Sequence, residues 1–300
     1  MNRAAGWCVA LLLLLAGAAP AHAGPPVPLL WKVSDADNAV YLLGSFHLLS
    51  AEDYPLSPDV DAAFADAESL LFELAPGEAD SPELAARLAQ AGTRSGPGSL
   101  REDLGPELWA RLERYARANQ MSLEGLARFE PWFIGLSIGM VEMGRSGLDP
   151  ELGLDRHLME AAARAGKPAA GLERAEQQLA VLAGMALEEQ KQLLAEALDE
   201  AGQPSQSREL YKAWRAGDAQ RLWQEMAVEM RRQYPALYRR INIERNDAWV
   251  PQLEARLALG EGEDTLAVVG ALHLLGEDGV VEKLRAKGYR VERICTACAD

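Results

Sequence analysis

The 300-residue chain has few of the side chains that most often hold metals or form covalent intermediates: four histidines and three cysteines. Such scarcity excludes a cysteine-rich zinc module and a multi-disulfide scaffold. HExxH, an EF-hand loop, a GxGxxG after a strand and a P-loop are all missing, since Gly166-Lys167 runs into Pro168; nucleotide-driven chemistry goes with them. Positive charge is short as well. Lys and Arg total 30 against 45 Asp and Glu, a net charge of −15 that repels phosphate backbones and anionic lipid and argues against a nucleic-acid partner. Arg231, Arg232, Arg239 and Arg240 form the one basic run, and it reads as a solvated helix face among acids. Long apolar runs are absent beyond the first segment. There, Arg3, the run Val9-Ala10-Leu11-Leu12-Leu13-Leu14-Leu15-Ala16 and Ala21-His22-Ala23 have the layout of a signal peptide over residues 1–23. Its removal would take away Cys8 and His22 and leave residues 24–300 as one exported domain, periplasmic or secreted, with no transmembrane segment.

With 49% hydrophobic residues the chain can bury a substantial core. Residues 29–33 and 39–43, joined by the turn-rich Ser34-Asp35-Ala36-Asp37-Asn38, predict a hairpin. Ser57-Pro58 opens a helix to Glu68, and Ser69-Leu70-Leu71-Phe72-Glu73-Leu74 follows as a buried strand. Strand, helix and strand in that order predict an adjacent parallel pair. Helices are expected at 106–118, 131–143 and 153–165, the last stopped by Gly166, then a short strand at 167–172. Residues 174–259 are helical with breaks at Gly184, Gly202, Gly217-Asp218 and Tyr234-Pro235. Strand, helix and strand return at 265–269, 277–287 and 289–294. The fold class is therefore α/β: a mixed sheet whose N- and C-terminal halves form one core, interrupted by a large helical middle at about 100–166 and 174–259. Cys295-Thr296-Ala297-Cys298 predicts a small disulfide loop in an oxidising compartment.

One repeat stands out. Tyr41-Leu42-Leu43-Gly44-Ser45-Phe46-His47-Leu48-Leu49 aligns with Ala267-Val268-Val269-Gly270-Ala271-Leu272-His273-Leu274-Leu275. Each is an apolar strand, a turn glycine (Gly44, Gly270), two residues, a histidine and two leucines. Glycine allows a sharp exit from the strand, which sets the histidine just beyond the carboxyl edge where open α/β sheets bind ligands. Glu73 ends another strand and can join the two. His157 has no such context and reads as a surface or interhelix residue. Trp132, Trp214, Trp223 and Trp249 read as core.

These paired GxxH motifs, with Glu73 and the helical middle, resemble the TraB/GumN family, related to the Tiki proteases. Further matches are Pro131-Trp132, Gly153-Leu154-Asp155, Gly166-Lys167 leading to Gly171-Leu172-Glu173, Glu176-Gln177 and Glu244-Arg245-Asn246. The resemblance covers about residues 29–294. It implies an α/β core like that of erythromycin-esterase and ChaN-like proteins and, through the Tiki relatives, metal-dependent proteolysis with manganese or cobalt.

Two imidazoles and a carboxylate suit a divalent transition metal (manganese, cobalt or zinc) with open positions. The expected assignment is His47, His273 and Glu73 on the metal, with Glu73, Glu173 and Arg245 as catalytic groups acting on a peptide or small-molecule substrate. Glu173 would serve as general base or as acceptor for an imidazole N–H, and Arg245 would pair with it or steady an oxyanion. Two alternatives use the same residues: a metal-free esterase, and a non-catalytic extracytoplasmic protein binding a ligand or peptide. A third, a serine hydrolase built on Gly135-Leu136-Ser137-Ile138-Gly139, needs that motif to follow a strand, and it reads instead as part of an apolar helix.

Overall fold

The computed structural model describes residues 24–78, 81–145, 147–202, 204–260 and 262–298; the expected signal segment lies outside them. The first hairpin forms where it was expected. β1 (Leu30–Ser34) pairs antiparallel with β2 (Ala39–Ser45), and the Asp35 carboxylate closes the turn by accepting from the Asp37 and Asn38 N–H groups. After α1 (Pro58–Asp66) comes β3 (Ser69–Leu74). The helical section holds α2 (Pro82–Gly92), α3 (Leu100–Ala118), α4 (Leu123–Leu126), α5 (Pro131–Arg145) and α6 (Leu154–Ala165). β4 (Ala169–Glu173) leads into α7 (Ala175–Ala183), α8 (Leu187–Gly202) and α9 (Pro204–Arg215). α10 (Ala219–Leu222) continues through a π-helical stretch, Trp223–Val228, into α11 (Glu229–Gln233). α12 (Pro235–Tyr238) runs the same way through Arg239–Ile243 into α13 (Glu244–Leu257). β5 (Thr265–Gly270), α14 (Val280–Ala286) and β6 (Arg290–Ile294) finish the fold. No helix among the described residues is long and apolar enough to cross a membrane.

The strands make one mixed sheet in the order β4-β3-β5-β2-β1-β6, so the fold is α/β. The expected adjacency of β2 and β3 is wrong in one respect. They run parallel, but β5 lies between them and pairs with both. Burial explains the insertion: β5 is buried along all but its last residue, and only a central strand can cover both faces of such a segment. Both ends of the chain therefore build the middle of the sheet.

Two cores follow from the patterning. The main one joins the sheet to α1, α6, α13 and α14 through residues such as Phe72, Leu158, Trp249 and Leu284. A second lies within the helical section, where α3, α5 and α8 pack through Leu112, Ile134 and Leu194. Gly135 lets α5 approach closely, since a Cβ there would sit 3.1 Å from Leu194 Cα. Ser137 is inside α5 and donates to the Phe133 carbonyl one turn back, so no nucleophile elbow exists. Helix α2, which the sequence reading did not include, is capped by Ser81, whose hydroxyl accepts from Leu84 N–H. Cys295 and Cys298 form the expected disulfide. The basic run is a paired surface: Arg231 meets Glu277, Arg232 meets Glu229 and Arg240 meets Glu189.

Candidate functional site

Four parallel strands, β2, β5, β3 and β4, end at the same sheet edge. Their carboxyl ends, or the turns just beyond, carry His47, His273, Glu73 and Glu173. The repeat thus brings both histidines to one place, and Glu73 lies with them. Its glycines act differently from expectation. Neither Gly44 nor Gly270 has a positive φ, and what each supplies is room. A Cβ on Gly44 would meet Leu29 Cβ at 3.0 Å and Ala271 Cα at 3.2 Å. One on Gly270 would meet Glu73 Oε1 at 3.1 Å, His47 Nε2 at 3.5 Å and the His273 ring at 3.6 Å. The two imidazoles and the carboxylate therefore converge over a bare backbone.

Helix α13 adds the central cation. Arg245 donates from NH2 to Glu73 Oε2 at 2.5 Å, from Nε to Glu173 Oε1 at 2.8 Å, and from NH1 to His273 Nε2 at 3.0 Å. Its guanidinium also lies 4.9 Å from the Trp249 ring centre. The π-helical turn just before α13 shifts its register, and such turns recur where a helix must aim side chains at a site. The same face presents Asn246, which accepts from His273 Nδ1 at 2.7 Å and is itself anchored to the Asp278 carbonyl. That network assigns the tautomer: Nδ1 carries the proton and the Nε2 lone pair faces Arg245. Trp249 donates to Glu173 Oε1 and packs on the His273 ring. Glu173 Oε2 is buried with no hydrogen-bond partner among the described residues.

Charge states follow from this packing. Burial pushes the His273 imidazolium down, to about 3, and Arg245 adds to the effect against the pull of Glu73, so His273 is neutral. Burial works against ionising Glu73, but the facing His273, Arg245 and His47 and the Gly270 N–H outweigh it and hold the carboxyl down, at about 2. Gly270 N–H donates to Glu73 Oε1 at 2.8 Å.

His47 is the open member. Its side chain is 59% exposed, and its Nδ1–H donates to Asp155 Oδ2 at 2.9 Å. Ser45 donates to the same oxygen at 2.6 Å. Asp155, followed by Glu73, raises the His47 pKa above its ordinary 6.5, while solvent reaching the ring screens part of that effect. The dyad depends on a glycine. A Cβ on Gly153 would lie within 2.2 Å of the His47 carbonyl oxygen, so only glycine lets α6 dock against this turn and offer Asp155 from its first turn. Asp155 and Asn246 are site residues that sequence reasoning did not single out. Both lay inside matched motifs, Gly153-Leu154-Asp155 and Glu244-Arg245-Asn246. His157 packs against the Tyr54 ring at a tilt, as expected of an interhelix residue.

A cavity of about 280 Å³ opens over the cluster, lined by Ser45, His47, Glu73, Arg245, Gly270 and His273 on its polar side. Its remaining wall is mostly apolar and comes from the helical section, including Met143, Leu148, Leu210 and Met226. As arranged, Arg245 stands where a divalent metal would compete for these donors. Among the described residues no three His, Cys, Asp or Glu side chains group as a metal site requires, and Arg245 already takes the His273 Nε2 lone pair and one Glu73 oxygen.

A family model described as the TraB/PrgY/gumN family matches residues 29–293. The chain belongs to this family. The matched span includes all four strand ends, Asp155 and the Arg245–Asn246 pair, so the whole cluster lies within the family domain. Two relatives, from Escherichia coli (strain K12) and Shigella flexneri, are both named uncharacterized protein YbaP. Each is 25% identical over 246 residues, covering 82% of this chain and 87% of the relative. No solved structure matches.

Proposed function

We propose that this family member is a hydrolase of amide or ester bonds, with His47 as the proton-transfer residue. The observation that carries the reading is the His47–Asp155 dyad facing a largely apolar cavity beside ionised Glu73 and Arg245. Asp155 holds the ring by Nδ1, which leaves Nε2 to accept a proton from water as the oxygen attacks the substrate carbonyl. That proton then passes to the leaving amine or alcohol. Glu73 orients the water, and the charge of Arg245 steadies the oxyanion. Peptides are the substrate class proposed first, because an apolar wall beside a polar cluster suits a side chain next to its amide. Export belongs to the same reading, on the strength of the Arg3 to Ala23 segment.

The test is hydrolysis of a peptide and ester panel by the protein spanning residues 24–300, beside His47→Ala and Asp155→Asn. Loss of turnover in His47→Ala supports the reading. Turnover equal in all three proteins refutes it, and saturable binding without turnover makes the cleft a binding site instead. A second reading, the divalent metal, is favoured by the convergence of His47 Nε2, Glu73 Oε1 and the His273 ring over Gly270. It requires Arg245 to release His273. Turnover abolished by chelation and restored by manganese, cobalt or zinc supports it; full activity after exhaustive chelation removes it.

A further inference from the structure

Glu200, in the last turn of α8, lines the same cavity but belongs to neither the dyad nor the Arg245 cluster. It is half-buried, makes no ion pair or hydrogen bond among the described residues, and has another acid, Glu196, one turn back. Burial first, then Glu196, raises its carboxyl. The cavity's own cation forms no ion pair with Glu200; the hydrogen bonds of Arg245 go to Glu73, Glu173 and His273 on the opposite layer. A carboxylate desolvated by apolar neighbours without a counter-charge is unfavourable, and a cation arriving with a ligand relieves that cost. The polar cluster is supplied by the sheet edge and α13, whereas Glu200 reaches in from the helical section beside the apolar wall. A ligand filling the cavity thus meets reacting groups from one layer and a lone negative charge from the other.

We propose that Glu200 sets specificity, selecting substrates that place a lysine or arginine side chain, or a free amine, within an otherwise apolar segment. The catalytic half of this statement rests on the hydrolase reading; the binding half does not.

The probe is a set of peptides of one length differing at a single scanned position by lysine, norleucine or glutamate. Binding is read by fluorescence polarisation and cleavage by mass spectrometry, for the wild type, Glu200→Gln and Glu200→Lys, each checked for fold by circular dichroism. The wild type is expected to favour lysine over norleucine by about tenfold at one position, the scale of a charge-assisted hydrogen bond. Glu200→Gln brings that ratio to about one, and Glu200→Lys turns the preference toward glutamate. A wild-type ratio near one at every position, a ratio unchanged in Glu200→Gln, or no binding of any lysine peptide overturns the assignment. Lysine-selective binding without cleavage leaves Glu200 in its role and removes the hydrolase reading. Cleavage without selectivity does the reverse.

Discussion

Arg245→Met keeps an unbranched stem of similar length and removes the guanidinium, with its charge, its hydrogen bonds and its contact with the Trp249 ring. In the wild type, Arg245 is the shared cation of two nearly buried carboxylates, with 13% of the Glu73 side chain and 7% of Glu173 exposed. Removing one member of a buried ion pair costs about 3–5 kcal/mol, because the partner charge stays behind without compensation. Residual exposure places the expected loss near the lower end, at about 3 kcal/mol. The pH dependence provides a sharper check. Wild-type Glu73 has a depressed pKa, so its contribution is present above the unfolded value of 4.5 and is lost as pH falls from there toward 2. In the variant the same carboxyl loses the pull of Arg245, so its pKa moves up and its charged form contributes less above that value. The stability gap between the two proteins is thus widest near neutrality and narrows as pH falls through 4.5 toward 2. Urea unfolding followed by far-UV circular dichroism at several pH values measures it. A loss under about 1 kcal/mol, or a gap that does not change with pH, refutes the reasoning.

Three further outcomes are expected. Gly153→Ala forces a Cβ into the His47 carbonyl and should destabilise by about 1–3 kcal/mol, read as a lowered denaturation midpoint; wild-type stability would show that α6 can dock without that close approach. Gly270→Ala keeps an allowed backbone, φ −50° and ψ 133°, yet sets a Cβ 3.1 Å from Glu73 Oε1, so that carboxylate must shift beside the two imidazoles. Turnover should fall by about tenfold or more with the melting temperature little changed, and an active variant would mean the cluster is not the reacting site. If His47 is the base, turnover rises with pH through its elevated pKa, and Asp155→Asn moves that limb down toward 6.5. A pH limb unmoved by Asp155→Asn assigns the limb to another group.

What the sequence made legible was the repeated unit. An apolar strand, a glycine and a histidine at both ends of the chain were enough to place His47 and His273 at one sheet edge, because parallel neighbours must present their carboxyl ends together. Glu73 and Glu173 followed from their positions at strand termini. The insertion of β5 between β2 and β3 was not readable, since local chain order favours pairing of consecutive strands and only long-range burial overrides it. Asp155 escaped notice as a site residue because nothing local ties a helix's first turn to a histidine far away in sequence; the cue was Gly153, whose need for space appears only once the His47 carbonyl is in place. The π-helical turn ahead of Arg245 leaves no mark in apolar spacing. The glycines of the repeat were located correctly but for the wrong physical reason, conformation instead of room.

The position of β5 also governs when the site can exist during synthesis. A nascent chain has both β2 and β3 early, but each keeps an unpaired edge until residues 265–270 emerge, so the two halves of the cleft stay apart until then. Closing so long a loop is slow, and the waiting edges are templates for pairing with other chains. Truncation ahead of β5 should therefore yield an aggregating chain with no cleft, and refolding from denaturant should show the sheet completing late.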